Sequence, residues 1–177
     1  MANLSLNQNQ FTQSTILGMV TNDPQPETFT CQLDPNSTWA TPITAGQAVK
    51  FTATAGSVIL VEPTSAATDK VFGVIAYNLR KATMVLGDYV EVVGPGGVIM
   101  LKSSAAIARG DTVAVTNQTV GTNDPTIATN TTASNAVIGV ALEPASAANL
   151  LIKVKVAPGI NSGAGAAAVA GVIGTGV

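Results

Sequence analysis

From about residue 41 onward, short runs rich in Val and Ile alternate with Gly, Pro, Asn and Asp. Some runs, such as LIKVKV at 151–156, alternate apolar and polar residues, which is typical of a strand with one face in solvent. Short strands separated by turn residues at this spacing indicate an all-β barrel or sandwich. Strands are predicted at 47–53, 57–63, 71–77, 82–86, 88–93, 97–102, 111–116, 136–142 and 150–156. Two Ser- and Ala-rich stretches, 103–108 and 145–151, fit short helices.

The two ends of the chain differ from this pattern. Residues 1–40 are polar, and Asp-Pro pairs at 23–24 and 34–35 oppose a helix there. We predict an extended N-terminal arm, with a poorly ordered terminus as the alternative. The arm would be anchored by isolated apolar residues: Leu4, Leu6, Phe11, Ile16, Leu17 and Trp39. The core is predicted at 41–157, followed by a Gly- and Ala-rich tail at 158–177 that is flexible or packed against a partner.

The small number of charges limits the kinds of partner. Charged residues make up 10% of the chain, against ~25% in a typical soluble domain. We therefore expect much of the surface to be covered by a partner or by further copies of the chain. The net charge is −2 and the Lys and Arg residues are scattered, which argues against nucleic-acid binding because that needs clustered cations. No run of ~18 apolar residues suggests a membrane span, and the N-terminus does not resemble a secretory signal.

The chain contains no His and a single Cys, Cys31. A Ser-His-Asp or Cys-His catalytic group and a Cys/His zinc site are therefore excluded. Asp88 and Glu91 lie close together, but their spacing in a strand puts them on opposite faces. We predict a protein that is not an enzyme and that uses no cofactor, metal or small-molecule substrate.

The letters Arg109-Gly110-Asp111 spell an integrin-binding motif, and an internal repeat gives them another explanation. ITAGQAVKF at 43–51 aligns with IARGDTVAV at 107–115, and the glycine is retained while Arg and Asp are not. We therefore predict that Asp111 is a turn or strand-entry residue and that Arg109 faces solvent.

Two further segments repeat at nearly the same distance. VFGVIA at 71–76 aligns with VIGVAL at 137–142, and VVGPGG at 92–97 aligns with VAPGI at 156–160. The offsets of the repeats are 64, 66 and about 63 residues, so we predict two related β units. Chance recurrence of Val-Gly patterns is the alternative. Four structural turn glycines are predicted: Gly46, Gly73, Gly110 and Gly139.

Several of these segments, in this order, resemble the capsid decoration (cement) proteins of tailed bacteriophages. The pattern apolar-x-x-Gly-Asp-x-Val-x-Val at 107–115 is followed by VIGVALEPA at 137–145 and LIKVKV at 151–156. VFGVIAYN at 71–78 fits the same pattern upstream. The similarity covers roughly residues 40–157, and the Gly-rich tail is not part of it.

The resemblance implies a compact antiparallel β-barrel or sandwich that assembles as a homotrimer on the outer surface of a phage head. Such proteins bind the major capsid protein, strengthen the shell and are not enzymes. The resemblance also implies that the arm reaches the capsid, so the six apolar arm residues are predicted contacts with the capsid or a neighbouring subunit. The protein would be made in the host cytoplasm and reside in the virion.

Two other functions remain open at this point. One alternative is another virion component, such as a head fibre, a tail-tube protein or a receptor-binding module. A fibre should show a longer repeat or a coiled-coil stalk, and the sequence has neither. An enzyme or ligand-binding protein would need polar groups that converge in an apolar pocket.

Overall fold

A computed structural model describes residues 17–18, 28–40, 42–66, 69–116, 125–130 and 137–158. These residues form β-strands and turns without a helix, so the fold is all-β as predicted. The strands are β1 (Thr28–Leu33), β2 (Ile43–Thr44), β3 (Ala48–Ala55), β4 (Val58–Pro63), β5 (Gly73–Ile75), β6 (Thr83–Met84), β7 (Tyr89–Val93), β8 (Val98–Lys102), β9 (Thr112–Val115), β10 (Ile127–Thr129), β11 (Val137–Ala141) and β12 (Leu151–Val156).

The strands divide into two successive units. The first unit is a closed barrel with the strand order β1-β4-β3-β5-β7. The second is a five-stranded sheet with the order β10-β9-β11-β12-β8, and a parallel bridge between Ser103, which directly follows β8, and Ile127 of β10 brings its two outer strands together. We call these units the first barrel (28–93) and the second barrel (98–156). GPGG at 94–97 is a tight turn between them, with the Gly97 N–H donating to the Gly94 carbonyl.

The two barrels share one hydrogen-bonding scheme. Val49 pairs with Gly73 in the first barrel, and Val113 pairs with Gly139 in the second. Around the first barrel the strand order is β1-β4-β3-β5-β7. Replacing these strands by β8, β10, β9, β11 and β12 gives the order of the second barrel, read as a ring in which β8 lies beside β10. The predicted repeat therefore marks two units of the same topology.

The turns of the two barrels also correspond, and so do their seams, by which we mean the parallel strand pairing that closes each barrel. The Gly46 N–H donates to the Ile75 carbonyl at 2.9 Å, and the Gly110 N–H donates to the Ala141 carbonyl at 2.8 Å. In the first barrel β1 and β4 pair in parallel, a pairing that a single bridge reproduces between β8 and β10. The repeat thus extends back to Thr28, beyond the segments in which the sequence reveals it.

Each barrel has an apolar interior. The apolar cluster of the second barrel also includes side chains from the outer face of the first barrel, where the two barrels pack together. The first interior consists of Cys31, Leu33, Trp39, Ile43, Val49, Val61, Ile75, Met84, Val90 and Val92. Its equivalents in the second barrel are Leu101, Ser103, Ile107, Val113, Ile127, Ala141, Ala145, Ile152 and Val154, with no described equivalent of Trp39. Ala48, Val74 and Val93 point out of the first barrel into the second cluster. Complete burial of such side chains stabilises a fold by roughly 1.5–3 kcal/mol each, so the barrels form one body.

The seam of the second barrel is short, and Pro125 explains why. In the first barrel the parallel register of Cys31 with Ile59 sets the Ile59 N–H against the Thr30 carbonyl. When the barrels are aligned by register, Pro125 takes the place of Ile59, and Met100 that of Thr30. Because proline has no N–H, the Met100 carbonyl requires a donor from elsewhere.

Gly18 supplies that donor and also contacts the first barrel. Its N–H donates to the Met100 carbonyl at 2.8 Å, and its carbonyl accepts from the Tyr77 N–H at 2.8 Å. Leu17 packs against the cluster shared by the two barrels. A Cβ added at Gly46 would lie 2.7 Å from Leu17 Cδ1. Residues 17–18 therefore join the two barrels.

The structure corrects several of the sequence predictions. Each of the nine predicted strands is present, but β1, β2 and β10 were not predicted. Both predicted helices are wrong, because Ile107 and Ala145 instead bridge each other within these segments. The predicted boundary at residue 40 is also wrong, since β1 closes the first barrel and its residues Cys31 and Leu33 are fully buried. The predicted tail beyond residue 158 lies outside the described residues.

Candidate interaction surface

A groove runs along the outside of the first barrel beside β7. It has a volume of ≈ 440 Å³ and receives residues from β1, β6, β7 and the loop after β5. Its lining comprises Thr30, Ala76, Tyr77, Asn78, Leu79, Arg80, Met84, Tyr89, Val90 and Glu91. Met84 and Val90 belong to the barrel interior, so the floor of the groove is the outer layer of a packed core.

Hydrogen bonds fix the loop at 76–81, which forms one wall of the groove. Asn78 Oδ1 accepts from the Arg80 N–H at 2.8 Å, which sets the local turn. The Ala76 N–H donates to the Glu91 carbonyl at 2.8 Å and ties the start of the loop to β7. Lys81 forms an ion pair with Asp88, just before β7. The wall therefore has a defined shape before any partner binds.

Large apolar side chains are exposed at this wall. Leu79 is 86% exposed and Tyr89 is 60% exposed, and both line the groove. Val85 is 47% exposed and lies beside Asp88, whose carboxylate accepts its N–H at 2.7 Å. Single exposed apolar residues are common, but two large ones that line the same groove mark a candidate interaction site.

At the equivalent positions the second barrel carries different chemistry. Its register puts Lys153 where the first barrel has Glu91, and Glu143 where it has Tyr77. Lys153 Nζ lies 3.0 Å from Glu143 Oε1. The two barrels share a backbone scheme but present different surfaces here, so the groove residues are a property of the first barrel.

Two carboxylates near the first barrel are more acidic than usual. Hydrogen bonds from Lys81 and from the Val85 N–H lower the pKa of Asp88 below its ordinary 3.8, against a smaller opposing effect of burial. Burial alone would raise the pKa of Asp69, but the N–H groups of Ser65 and Ala66, together with Lys50, outweigh it and lower the pKa. Lys50 also lies 3.2 Å from Glu62. Both Asp residues therefore stabilise the fold in their charged form.

Acidification is expected to lower the free energy of unfolding through Asp69 and Asp88. Because their folded pKa values lie below the ordinary 3.8, their contribution is present above that value and is lost as the pH falls through the folded pKa. Urea unfolding measured from about pH 7 to about pH 3 tests this expectation. Asp69→Asn and Asp88→Asn should each reduce the dependence on pH, and an unchanged dependence in both variants would contradict the assignment.

The Arg109-Gly110-Asp111 letters form a hairpin-entry turn. The Asp111 N–H donates to the Ala108 carbonyl at 3.2 Å, and the φ of Gly110 is 91°, which is the pattern of a type II turn. Asp111 Oδ2 accepts from the Ala108 N–H at 3.0 Å and from Thr129 Oγ1 at 2.7 Å. Arg109 is exposed, as predicted. The Asp111 carboxylate is therefore engaged in holding the turn against β10.

Asp111→Ala is expected to destabilise the chain by about 1.5–3 kcal/mol, the usual effect of losing hydrogen bonds to a charged group. Arg109→Ala should change the free energy of unfolding by less than about 0.5 kcal/mol, as is usual for an exposed side chain. Denaturant unfolding of both variants gives the comparison. Equal effects at the two positions would contradict the turn role of Asp111.

The six apolar arm residues that were predicted as partner contacts lie in different environments or outside the described residues. Leu4, Leu6, Phe11 and Ile16 lie outside the described residues. Leu17 packs against its own chain, and Trp39 is 5% exposed inside the first barrel. The prediction of Trp39 as a partner contact is therefore wrong, because its ring completes the core.

The four predicted turn glycines divide into two kinds. Gly46 and Gly110 lie in turns. Gly73 and Gly139 lie instead within β5 and β11, where another strand passes too close for a side chain. Leu79 and Tyr89 are not among the site residues predicted from the sequence. The signal for Leu79 was that apolar and aromatic residues occur among polar ones in YNLRK at 77–81, and the signal for Tyr89 was its place with Glu91 on the polar face of YVEVV at 89–93.

No group of three or more His, Cys, Asp or Glu among the described residues is placed to hold a metal ion. The described part of the chain also contains no helix long and apolar enough to cross a membrane. No protein-family model matches this sequence, and a search of curated proteins found no match.

Proposed function

We propose that the protein binds the outer surface of a bacteriophage head as a decoration protein and stabilises the capsid lattice. The proposal is supported by the resemblance at residues 71–78, 107–115, 137–145 and 151–156. A rigid pair of barrels with few charges also suits a protein that is covered on several sides in an assembly. Its partners would be the major capsid protein and further copies of itself, in a homotrimer.

The observation that carries the proposal is the exposed apolar wall of the groove. Leu79 and Tyr89 are exposed and line this groove. Hydrogen bonds hold the loop that carries Leu79 and the turn that precedes Tyr89 in β7. Burying exposed apolar area in an interface contributes roughly 25 cal/mol per Å². A preformed wall loses little conformational entropy on binding. We assign this wall, together with the N-terminal segment, as the surface that meets the shell.

Binding to heads that lack the protein tests the proposal. Purified protein is mixed with expanded heads of the phage that encodes it, and the bound fraction is measured after sedimentation. Saturable binding in a fixed ratio to the capsid subunits is expected. Leu79→Ser with Tyr89→Ser should weaken the binding at least tenfold, whereas Phe51→Ser, an exposed residue that does not line the groove, should leave it unchanged. Absence of saturable binding would refute the proposal.

The oligomeric state is a separate part of the proposal. Light scattering over a dilution series should give a mass near three times the 17.7 kDa of the chain. A monomer at every concentration would contradict a trimer preformed in solution, and shell binding would then have to bring the copies together.

A further inference from the structure

The N-terminal segment joins the barrels at a residue that lines the groove. Tyr77 lines the groove, and its backbone N–H donates to the Gly18 carbonyl at 2.8 Å. The backbone at Gly18 is held on its other side by the Met100 carbonyl. The sixteen residues before Leu17 are thus attached beside the apolar wall.

The segment is long enough to reach the groove. Sixteen extended residues span up to about 53–58 Å at ~3.3–3.6 Å per residue. A segment tethered so close to a surface meets it at an effective concentration on the order of millimolar. The groove of the same chain is therefore favoured over that of another copy.

The chemistry of the segment matches that of the groove. MANLSLNQNQFTQSTI at 1–16 has no charged side chain. Leu4 and Leu6 are separated by one polar residue, so both would point to the same side of an extended strand. The groove offers the exposed Leu79 and Tyr89 as an apolar wall. Thr30 and Asn78 provide polar groups along the same groove.

We propose that residues 1–16 dock in this groove of the same chain when the protein is free. The apolar side chains of Leu4 and Leu6 then cover Leu79 and Tyr89, and the two surfaces shield each other from water. On the shell, capsid contacts would compete with this internal contact. The docking itself rests on the groove and the attachment point and does not require the proposed function.

A spin label on the full-length chain tests the docking. Ser5→Cys provides one accessible thiol, while burial raises the pKa of Cys31 to about 11 and keeps that thiol unreactive. A nitroxide at position 5 should broaden the amide signals of residues 77–80 and 89–91 in the NMR spectrum, while those near Phe51 stay sharp. Leu79→Ser with Tyr89→Ser should remove the broadening, and Phe51→Ser should retain it.

A mixed sample separates docking within a chain from exchange between chains. An isotope-labelled chain without the nitroxide is combined with an unlabelled chain that carries it. The proposal expects no broadening in this mixture. Broadening of the groove signals in the mixture would overturn it in favour of exchange between copies, and no broadening in either sample would show that the groove does not bind the segment. Since no shell is present, none of these outcomes depends on capsid binding.

Discussion

Gly139→Ala is expected to destabilise the chain by at least ~3 kcal/mol, because overpacking against a rigid backbone is among the most damaging substitutions. A Cβ at this position would lie 1.9 Å from the Lys155 carbonyl oxygen and 2.9 Å from the Ala157 nitrogen. Both atoms belong to the backbone at β12 or just after it, so relief requires β11 and β12 to separate. Urea unfolding followed by circular dichroism measures the loss.

Gly56→Ala is the matched control for this substitution. Gly56 has a φ of 66°, but a Cβ there would meet nothing within 4 Å. Its cost should be limited to the roughly 1–2 kcal/mol of a left-handed alanine. Gly73→Ala, at the position equivalent to Gly139, should resemble Gly139→Ala, because its Cβ would lie 2.5 Å from the Val93 carbonyl oxygen. If Gly139→Ala costs no more than Gly56→Ala, the close approach of the strands is wrong.

Gly18→Pro is also expected to be strongly destabilising, by roughly 3 kcal/mol, from an unpaired Met100 carbonyl together with backbone strain. Proline cannot donate to the Met100 carbonyl, and its fixed φ is incompatible with the φ of 76° at Gly18. The substitution removes the link between the barrels and leaves the seam of the second barrel without its donor. The free energy of unfolding should fall, and signals near Met100 and Tyr77 should shift in the NMR spectrum.

A second substitution separates the loss of the hydrogen bond to the Met100 carbonyl from the other effects of the proline at position 18. Pro125→Ala restores an N–H at the position equivalent to Ile59, facing the Met100 carbonyl. In the Gly18→Pro background it should recover about 1 kcal/mol, the usual net contribution of one hydrogen bond. In the wild-type background it should recover less, because Gly18 already occupies that carbonyl. Equal effects in both backgrounds would mean that the two sites are uncoupled and that Gly18 does not replace the missing donor.

This role of Gly18 also limits how the N-terminal segment can be tested. Deleting residues 1–20 removes Leu17 and Gly18 together with the arm, so loss of shell binding would not distinguish the arm from a loosened fold. Deletion of residues 1–15 is the better experiment, since both core contacts remain. Comparison of the two deletions separates a structural role from a binding role.

The strands that the sequence predicted are those with a local pattern. β7 and β12 alternate apolar and polar residues, and β4 is almost continuously apolar. β1 was missed because TFTCQL at 28–33 lies in a polar, Pro-rich stretch. Its place in the barrel depends on pairing with β4 and β7, far along the chain. TFTCQL does alternate polar and apolar residues as a half-buried strand should, but the polar, Pro-rich residues around it obscured this short pattern.

The wrong helices and the missed groove have the same origin. SSAAIA at 103–108 has a reasonable helix composition, but Ser103 is fully buried and donates to the Ala147 carbonyl at 2.8 Å. That contact fixes the loop before β12, so the tertiary structure overrides local propensity. Leu79 and Tyr89 likewise come together only because the loop after β5 folds back along β7. The repeat was visible because its turns and strand glycines are local features of each unit.

The most direct test of the proposed function is the temperature at which phage heads break open. Heads assembled without the protein are heated with and without the purified chain, and DNA release is followed by dye fluorescence. Release is expected at a higher temperature when the protein is bound, with the gain reduced by Leu79→Ser and Tyr89→Ser. Release at the same temperature from fully decorated and bare heads would contradict a stabilising role.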